Sequence, residues 1–199
     1  PNTGGMGSYS PPGLFSRQMV KEVARGILLP TVKALAKAGM PYKGVLYAGL
    51  MIVRGLPVVL EFNARFGDPE TQVILPLLKT DLVDILLAVI HGKLNEIKIE
   101  WRPQACVGVV MSSGGYPGNY KIGFPIRGMD NIDKDVFVFH AGTKLGGDGI
   151  VRTDGGRVLT VVGVGKNMAE AREKVYRSIG NIHFEGCYYR KDIALRETV

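Results

Sequence analysis

Two apolar runs stand almost back to back in this chain: GVLYAGLMIV from Gly44 to Val53 and PVVLEFNA from Pro57 to Ala64, with only Arg54, Gly55 and Leu56 between them. Each has the length and the apolar, partly β-branched character of a strand. So short a connection forces neighbouring strands to run antiparallel, because a parallel crossover needs a dozen residues or more. The pair reads as a β-hairpin, although RGL lacks the Asn-Gly or Gly-Gly chemistry of the commonest tight turns.

The second run ends in polar residues at alternate positions. Along an extended strand Glu61, Asn63 and Arg65 project from one face while Phe62 and Ala64 project from the other. Carboxylate and amide oxygens suit hard Mg²⁺, which keeps several waters and is held by one or two protein ligands plus substrate phosphates. The Arg65 guanidinium, planar and permanently charged, is suited to grip a phosphoryl or carboxylate oxygen through two bonds. Three alternating polar residues also occur on a solvated edge strand with an ordinary i, i+4 Glu–Arg pair. The context favours a site, because FGDPE follows at once. There Asp68 and Glu70 stand near a turn or helix start, where periodicity alone makes them caps.

Around the hairpin the pattern is mixed. The opening PNTGGMGSYSPPG is too rich in glycine and proline for a helix or a central strand, and it reads as a loop fit to cradle an anion. With no scaffold and no initiator Met ahead of it, residue 1 is expected to lie within a larger protein. FSRQMVKEVARGILLPTVKALAKAG has apolar residues at helical spacing, Ser16 as N-cap, and Pro30 to kink or split it. A second helix starts at Thr80 or Asp81, carries Leu82, Ile85, Leu86 and Val89 as its stripe, and stops at Gly92. From about Trp101 short strands alternate with glycine turns: ACVGVVMSS, VFVFHAG, GIVRT and RVLTVVGVG. One long helix follows, NMAEAREKVYRSIGNI, with Asn167 and Glu170 at capping-box spacing. The expected fold class is α+β, divided at about residue 100 into a first domain, 1–100, and a β-rich second domain, 101–199.

The net charge of +7 fits a partner that carries phosphate. Lys and Arg are scattered, with no run of five or six and no interleaved aromatics, which argues against nucleic acid. Cys106 and Cys187 form no C-x-x-C pair, so neither a disulfide framework nor a zinc site is indicated, and both read as plain thiols of a reducing cytoplasm. The longest apolar stretches fall far short of a membrane span, and no signal peptide heads the chain. His91 reads as a helix-end residue and His140 as a core or interface residue.

Taken in order, PNTGGMG, LYAGLM, LEFNARFGDPETQ, GGYPG, FHAGTK and RKDI resemble the phosphoribosylamine–glycine ligases (glycinamide ribonucleotide synthetases) of the ATP-grasp superfamily, and RFGDPETQ reads like that family's signature octapeptide. The resemblance spans nearly the whole chain. It implies the C-terminal half of an ATP-grasp domain, an antiparallel sheet with helices, followed by a small β-rich domain with one long helix. It also implies a missing N-terminal portion of the same enzyme, carrying the lysines that hold the nucleotide phosphates. The implied reaction is ATP-dependent ligation of glycine to phosphoribosylamine through a glycyl phosphate, in purine biosynthesis, with Mg²⁺ or Mn²⁺ as the metal. On this carry-over Glu61 and Asn63 match the metal ligands, and Arg65 steadies the acyl phosphate. Gly4, Gly5, Met6 and Gly7 shape a loop over the sugar-phosphate side, and Asp68 is a candidate contact to the ribosylamine. No carboxylate lies on the preceding strand, so phosphates and water must complete the metal site. Ala194 stands where the family leads one to expect glycine. The rival readings are another ATP-grasp carboxylate–amine ligase and a basic nucleic-acid or partner-binding module, which would leave EFNAR idle.

Overall fold

The computed structural model describes residues 4–198; Pro1, the first proline of the opening run, lies outside them. The architecture is α+β, and the strand pairs are antiparallel. Contacts group the chain into two units. One holds the residues up to Pro11, Asp68–Leu77 and the chain from Arg102 onward, and the other holds Pro12–Gly67 and Leu78–Trp101.

The first unit is built on a four-stranded sheet in which β1 (Gly7–Ser10) pairs with β4 (Ala105–Ser112), β4 with β8 (Arg157–Gly165), and β8 with β5 (Val136–His140). Every residue of β4 is buried. A strand covered on both faces has no solvated side to encode, so ACVGVVMS reads as a continuous apolar run. On one face α5 (Met168–Ile179) packs Ala171, Val175 and Ile179 into a core with Val107, Val109, Leu159 and Val161. On the other, α3 (Thr71–Ile74) and the turn after it bring Val73 and Leu77 against Cys106 and Val162. A smaller hairpin, β6 (Thr143–Leu145) with β7 (Val151–Thr153), completes the strands of this unit.

Leu159 has no exposed surface and sits in the middle of that core. Leu159→Ala is expected to destabilise the unit by about 2–5 kcal/mol, the lost transfer energy plus the cavity it leaves. Urea unfolding followed by far-UV circular dichroism measures this directly, and a cost below about 1 kcal/mol would mean that the site collapses around the gap.

The opening run is more regular than its composition suggests. Gly7–Ser10 forms a strand, with Gly7 opposite Val109 and Ser10 opposite Cys106. It lies at the sheet edge, where Pro11 ends it without removing a ladder bond. The cap of α5 is as expected on one side only. Asn167 accepts the Glu170 N–H at 2.9 Å, but Glu170 accepts from the Lys166 N–H at 3.0 Å rather than from Asn167. His140 is exposed, with Nδ1 3.0 Å from the Thr143 hydroxyl, and so is not a core residue. Ala194 has φ 59°, the left-handed backbone that glycine adopts freely and alanine only at a cost of about 1 kcal/mol.

In the second unit, α1 (Arg17–Val23) begins at Ser16, whose hydroxyl accepts the Met19 N–H at 3.1 Å. Pro30 does not break the helical run, which stays helical from Arg17 to Lys37 with one wide π-helical turn at Ala24–Leu28 before α2 (Leu29–Lys37). The Leu29 N–H reaches back to the Ala24 carbonyl, and Pro30, which has no N–H to give, follows directly on this widened turn. The hairpin is β2 (Tyr47–Val53) and β3 (Leu56–Asn63). Its turn residues Arg54 and Gly55 have φ of 52° and 82°, the pair of positive values that a tight hairpin with right-handed strand twist requires. α4 (Leu82–His91) is capped by Asp81, which accepts the Val83 N–H at 2.7 Å, and closes on Gly92 in the left-handed region. His91 lies in its last turn, where a cation complements the helix dipole.

This unit leaves its ribbon uncovered. Val58 and Val59, consecutive and therefore on opposite faces, are 46% and 37% exposed. Of the residues of α4 only Ala88 is buried. Among the described residues no helix is long and apolar enough to cross a membrane.

Candidate functional site

β3 delivers Glu61 and Asn63. In the β2–β3 ladder Asn63 stands opposite Tyr47 and Glu61 opposite Gly49, yet Leu50 faces Val59, so Leu60 is an extra residue in β3. Gly49 and Leu50 are neighbours on opposite faces, and their partners Glu61 and Val59 must be too. The bulge therefore turns the polar pair onto the face that strict alternation would have denied it. Asn63 Nδ2 donates to Glu61 Oε1 at 2.9 Å, so the two side chains touch.

Arg65 reaches its position by another route. β3 ends at Asn63, and Ala64 and Arg65 lie in a bend, so strand alternation does not set the direction of Arg65 as the sequence pattern suggests. Its Nη1 donates to the Phe66 carbonyl at 2.9 Å. That local bond stands in place of the i, i+4 pair with Glu61, which does not form among the described residues.

The remaining sequence candidates gather in the first unit. Gly5 packs against the FGDPE turn, and a Cβ there would fall 2.5 Å from Pro69 Cδ. Glycine is thus required by the meeting of two loops, whatever ligand the loop serves. Ser8 Oγ donates to the Pro69 carbonyl at 2.8 Å, and the Met6 carbonyl accepts the Val110 N–H at 3.1 Å. Asp68 is exposed and accepts from Gln72 Nε2 at 3.1 Å. Glu70 precedes α3 without a side-chain cap bond. Glu70 holds the N-cap position, but neither acid caps α3 through its side chain.

Arg157, which the sequence pattern did not single out, joins these loops. Its Nη2 donates to Asp68 Oδ2 at 2.9 Å, and its Nη1 to the Asp68 carbonyl at 3.0 Å and the Gly5 carbonyl at 3.3 Å. The available signal was the GGR at the head of RVLTVVGVG, a cation at the mouth of an otherwise apolar strand. Glu61, Asn63 and Arg65 belong to one unit, and the glycine loop, Asp68 and Arg157 to the other. Burial pushes the Cys106 thiol up to about 12 and the Cys187 thiol up to about 11, so neither is a thiolate at neutral pH.

Residues 1–71 match the family model of the phosphoribosylglycinamide synthetase ATP-grasp (A) domain, and residues 106–196 match that of its C domain. The chain belongs to the phosphoribosylglycinamide synthetase family. The phosphoribosylamine–glycine ligase of Caldanaerobacter subterraneus subsp. tengcongensis is 55% identical over 194 residues, which are 98% of this chain and 46% of that protein. The crystal structure of phosphoribosylamine–glycine ligase from Thermotoga maritima matches with a TM-score of 0.84 at 38% identity, covering 96% of this chain and 47% of that one. The chain spans about half the length of the synthetase-family relatives it matches. Kluyveromyces lactis urea carboxylase shares the fold at a TM-score of 0.65 and 16% identity, over 97% of this chain and 16% of its own. An ATP-grasp portion followed by the synthetase C domain is therefore the architecture here.

Proposed function

We propose that this chain supplies part of an enzyme that joins glycine to phosphoribosylamine with cleavage of ATP, giving glycinamide ribonucleotide, ADP and phosphate in the cytoplasm. The observation that carries the reading is the Glu61–Asn63 pair, in contact at the end of β3, in a chain of this family. The remaining portion of the same enzyme is its expected partner. The domain division at about residue 100 belongs to the same proposal.

In this reading the glycine carboxylate attacks the γ-phosphorus of ATP, forming glycyl phosphate and releasing ADP. The amine of phosphoribosylamine then attacks the acyl carbon, phosphate departs with the bonding pair, and the amine gives up a proton. Both steps depend on alignment and on neutralising charge, more than on covalent help from the protein.

The residues fit a hard divalent ion. A carboxylate and an amide oxygen of neighbouring side chains are suitable ligands for Mg²⁺ or Mn²⁺, and two protein ligands leave the remaining positions for phosphate oxygens and water. The ion, when bound, supplies positive charge against the transferred phosphoryl group. Glu61 and Asn63 hold it, and Arg65 steadies the acyl phosphate and the departing oxygens. Gly4, Gly5, Met6 and Gly7 line the sugar-phosphate side, with Asp68 toward the ribosylamine.

ADP formation by a complete ligase carrying this chain, measured with glycine and phosphoribosylamine left out in turn, tests the function, because both must be needed. Arg65→Lys in the same enzyme keeps the charge and loses the two-pronged donor. Turnover is expected to fall at least about tenfold, with the KM for glycine within about threefold. An unchanged turnover number would return Arg65 to its bond with the Phe66 carbonyl alone.

A further inference from the structure

We propose that Arg157 is a positioning residue for the sugar-phosphate side of the site: it locks the Gly4–Gly7 loop to the FGDPE turn and sets the direction of the Met6 N–H. The role as a substrate wall rests on the ligase reading above; the lock itself does not.

The sheet aims Arg157 through a bulge. In the β4–β8 ladder Met111 faces Leu159 while Ser112 faces Arg157, so Val158 is an extra residue. Val158 and Leu159 both enter the core beneath α5, although consecutive strand residues ordinarily face opposite ways. The extra residue thereby turns Arg157 to the side on which Val162 meets Val73 of α3, the side of the 68–77 segment. Backbone bonds hold the mouth of the strand, with the Gly142 N–H on the Arg157 carbonyl at 2.9 Å and the Ser113 N–H on the Gly156 carbonyl at 2.8 Å.

The guanidinium does more than pair with a carboxylate. Among the described residues it makes three bonds, two of them to main-chain carbonyls, one from each loop, at Gly5 and Asp68. The loops are 63 residues apart in sequence, and one planar donor fork joins them. A trans peptide points its C=O and N–H in opposite directions. Drawing the Gly5 carbonyl toward Arg157 therefore turns the Met6 N–H, on the same peptide, away from the cation. A main-chain donor with a fixed direction is the kind of group that receives a phosphate oxygen. The third bond holds the Asp68 carboxylate at 2.9 Å, fixing the residue proposed to meet the ribosylamine. Lysine offers a point charge without the planar fork, and it cannot hold both loops in one geometry.

The test compares wild type, Arg157→Ala, Arg157→Gln and Arg157→Lys in a complete ligase carrying this chain, with steady-state kinetics and amide hydrogen exchange on the same samples. Arg157→Ala is expected to raise the KM for phosphoribosylamine about 10–100-fold and to leave the KM for ATP within about twofold. Exchange should rise in peptides covering 4–8 and 68–72 and stay slow in β4 and β8. Arg157→Lys should recover only part of the loss. An unchanged KM for phosphoribosylamine overturns the positioning role, and unchanged exchange in either segment overturns the lock. Exchange that rises throughout the β4–β8 core, with all the KM values rising together, also overturns the proposal, since that is a merely structural role. If Arg157→Ala does not fold, Arg157→Gln is read by the same criteria. If the wild-type enzyme forms no ADP in response to glycine, the ligase reading fails. The lock then stands or falls on whether exchange rises only in the two segments.

Discussion

Glu61→Gln, in a complete ligase carrying this chain, is expected to lower turnover by about 10³-fold, roughly 4 kcal/mol of barrier, while leaving the fold in place. The substitution keeps the shape of the side chain and one oxygen, and removes the charge. Glu61 is exposed and, among the described residues, its carboxylate accepts one side-chain hydrogen bond, from the Asn63 amide at 2.9 Å, so the cost to stability should stay within about 0.5 kcal/mol. The cost to chemistry is large because a divalent ion neutralising the transferred phosphoryl group contributes several kcal/mol. A neutral amide in place of the carboxylate holds that ion far more weakly. ADP formation titrated with Mg²⁺, beside a circular dichroism spectrum of the variant, checks both halves. Turnover near wild type at ordinary Mg²⁺ would sink the metal assignment. Turnover restored only by very high Mg²⁺ would strengthen it.

The second large effect concerns the 199-residue chain by itself. It is expected to bind Mg·ATP no more tightly than millimolar, about 4 kcal/mol of binding energy, and to make no glycinamide ribonucleotide. Adding the remaining portion of the enzyme should restore both. The physical reason lies in the second unit. A two-stranded ribbon is marginal in water, and this one leaves Val58, Leu60 and Phe62 exposed at 46%, 64% and 41%. Apolar surface left exposed on both faces of a ribbon calls for a cover. Glu61 and Asn63 stand on that ribbon, so a nucleotide meeting it would find two oxygen ligands and few other fixed partners. Calorimetric titration with Mg·ATP and a phosphate-release assay, with and without the added portion, decide the matter. Robust glycine-dependent ADP formation by the isolated chain would mean that the nucleotide is held elsewhere.

Much of the fold was legible in the sequence wherever the determining interaction is local. Ser16, Asp81 and Asn167 each cap the helix that follows, because a short side chain accepts an N–H two or three residues ahead. The hairpin was legible from the two runs and the shortness of their connection, even with Arg54 in a backbone region that its side chain disfavours. The edge strand Gly7–Ser10 was hidden because glycine and proline conceal a pairing that β4 imposes from a hundred residues away. That Arg65 lies past the strand, in a bend, was hidden for a similar reason. The pattern E-x-N-x-R does not mark where the strand stops, and it stops at Asn63.

The sequence by itself marked the capped helices, the strand segments after the opening run, the family, and, as candidates, the polar set Glu61, Asn63 and Arg65 with Asp68 and the glycine loop, since each rests on neighbours in the chain or on a contiguous motif. Only the tertiary structure decided which way those residues turn. The extra residue at Leu60 sets the face of Glu61 and Asn63, and the one at Val158 sets the side of Arg157. A bulge is defined by its partner strand, and the bonds of Arg157 to Asp68 and Gly5 join residues 89 and 152 positions apart. At such separations the contact exists because the core brings the loops together, and nothing local to either residue records it.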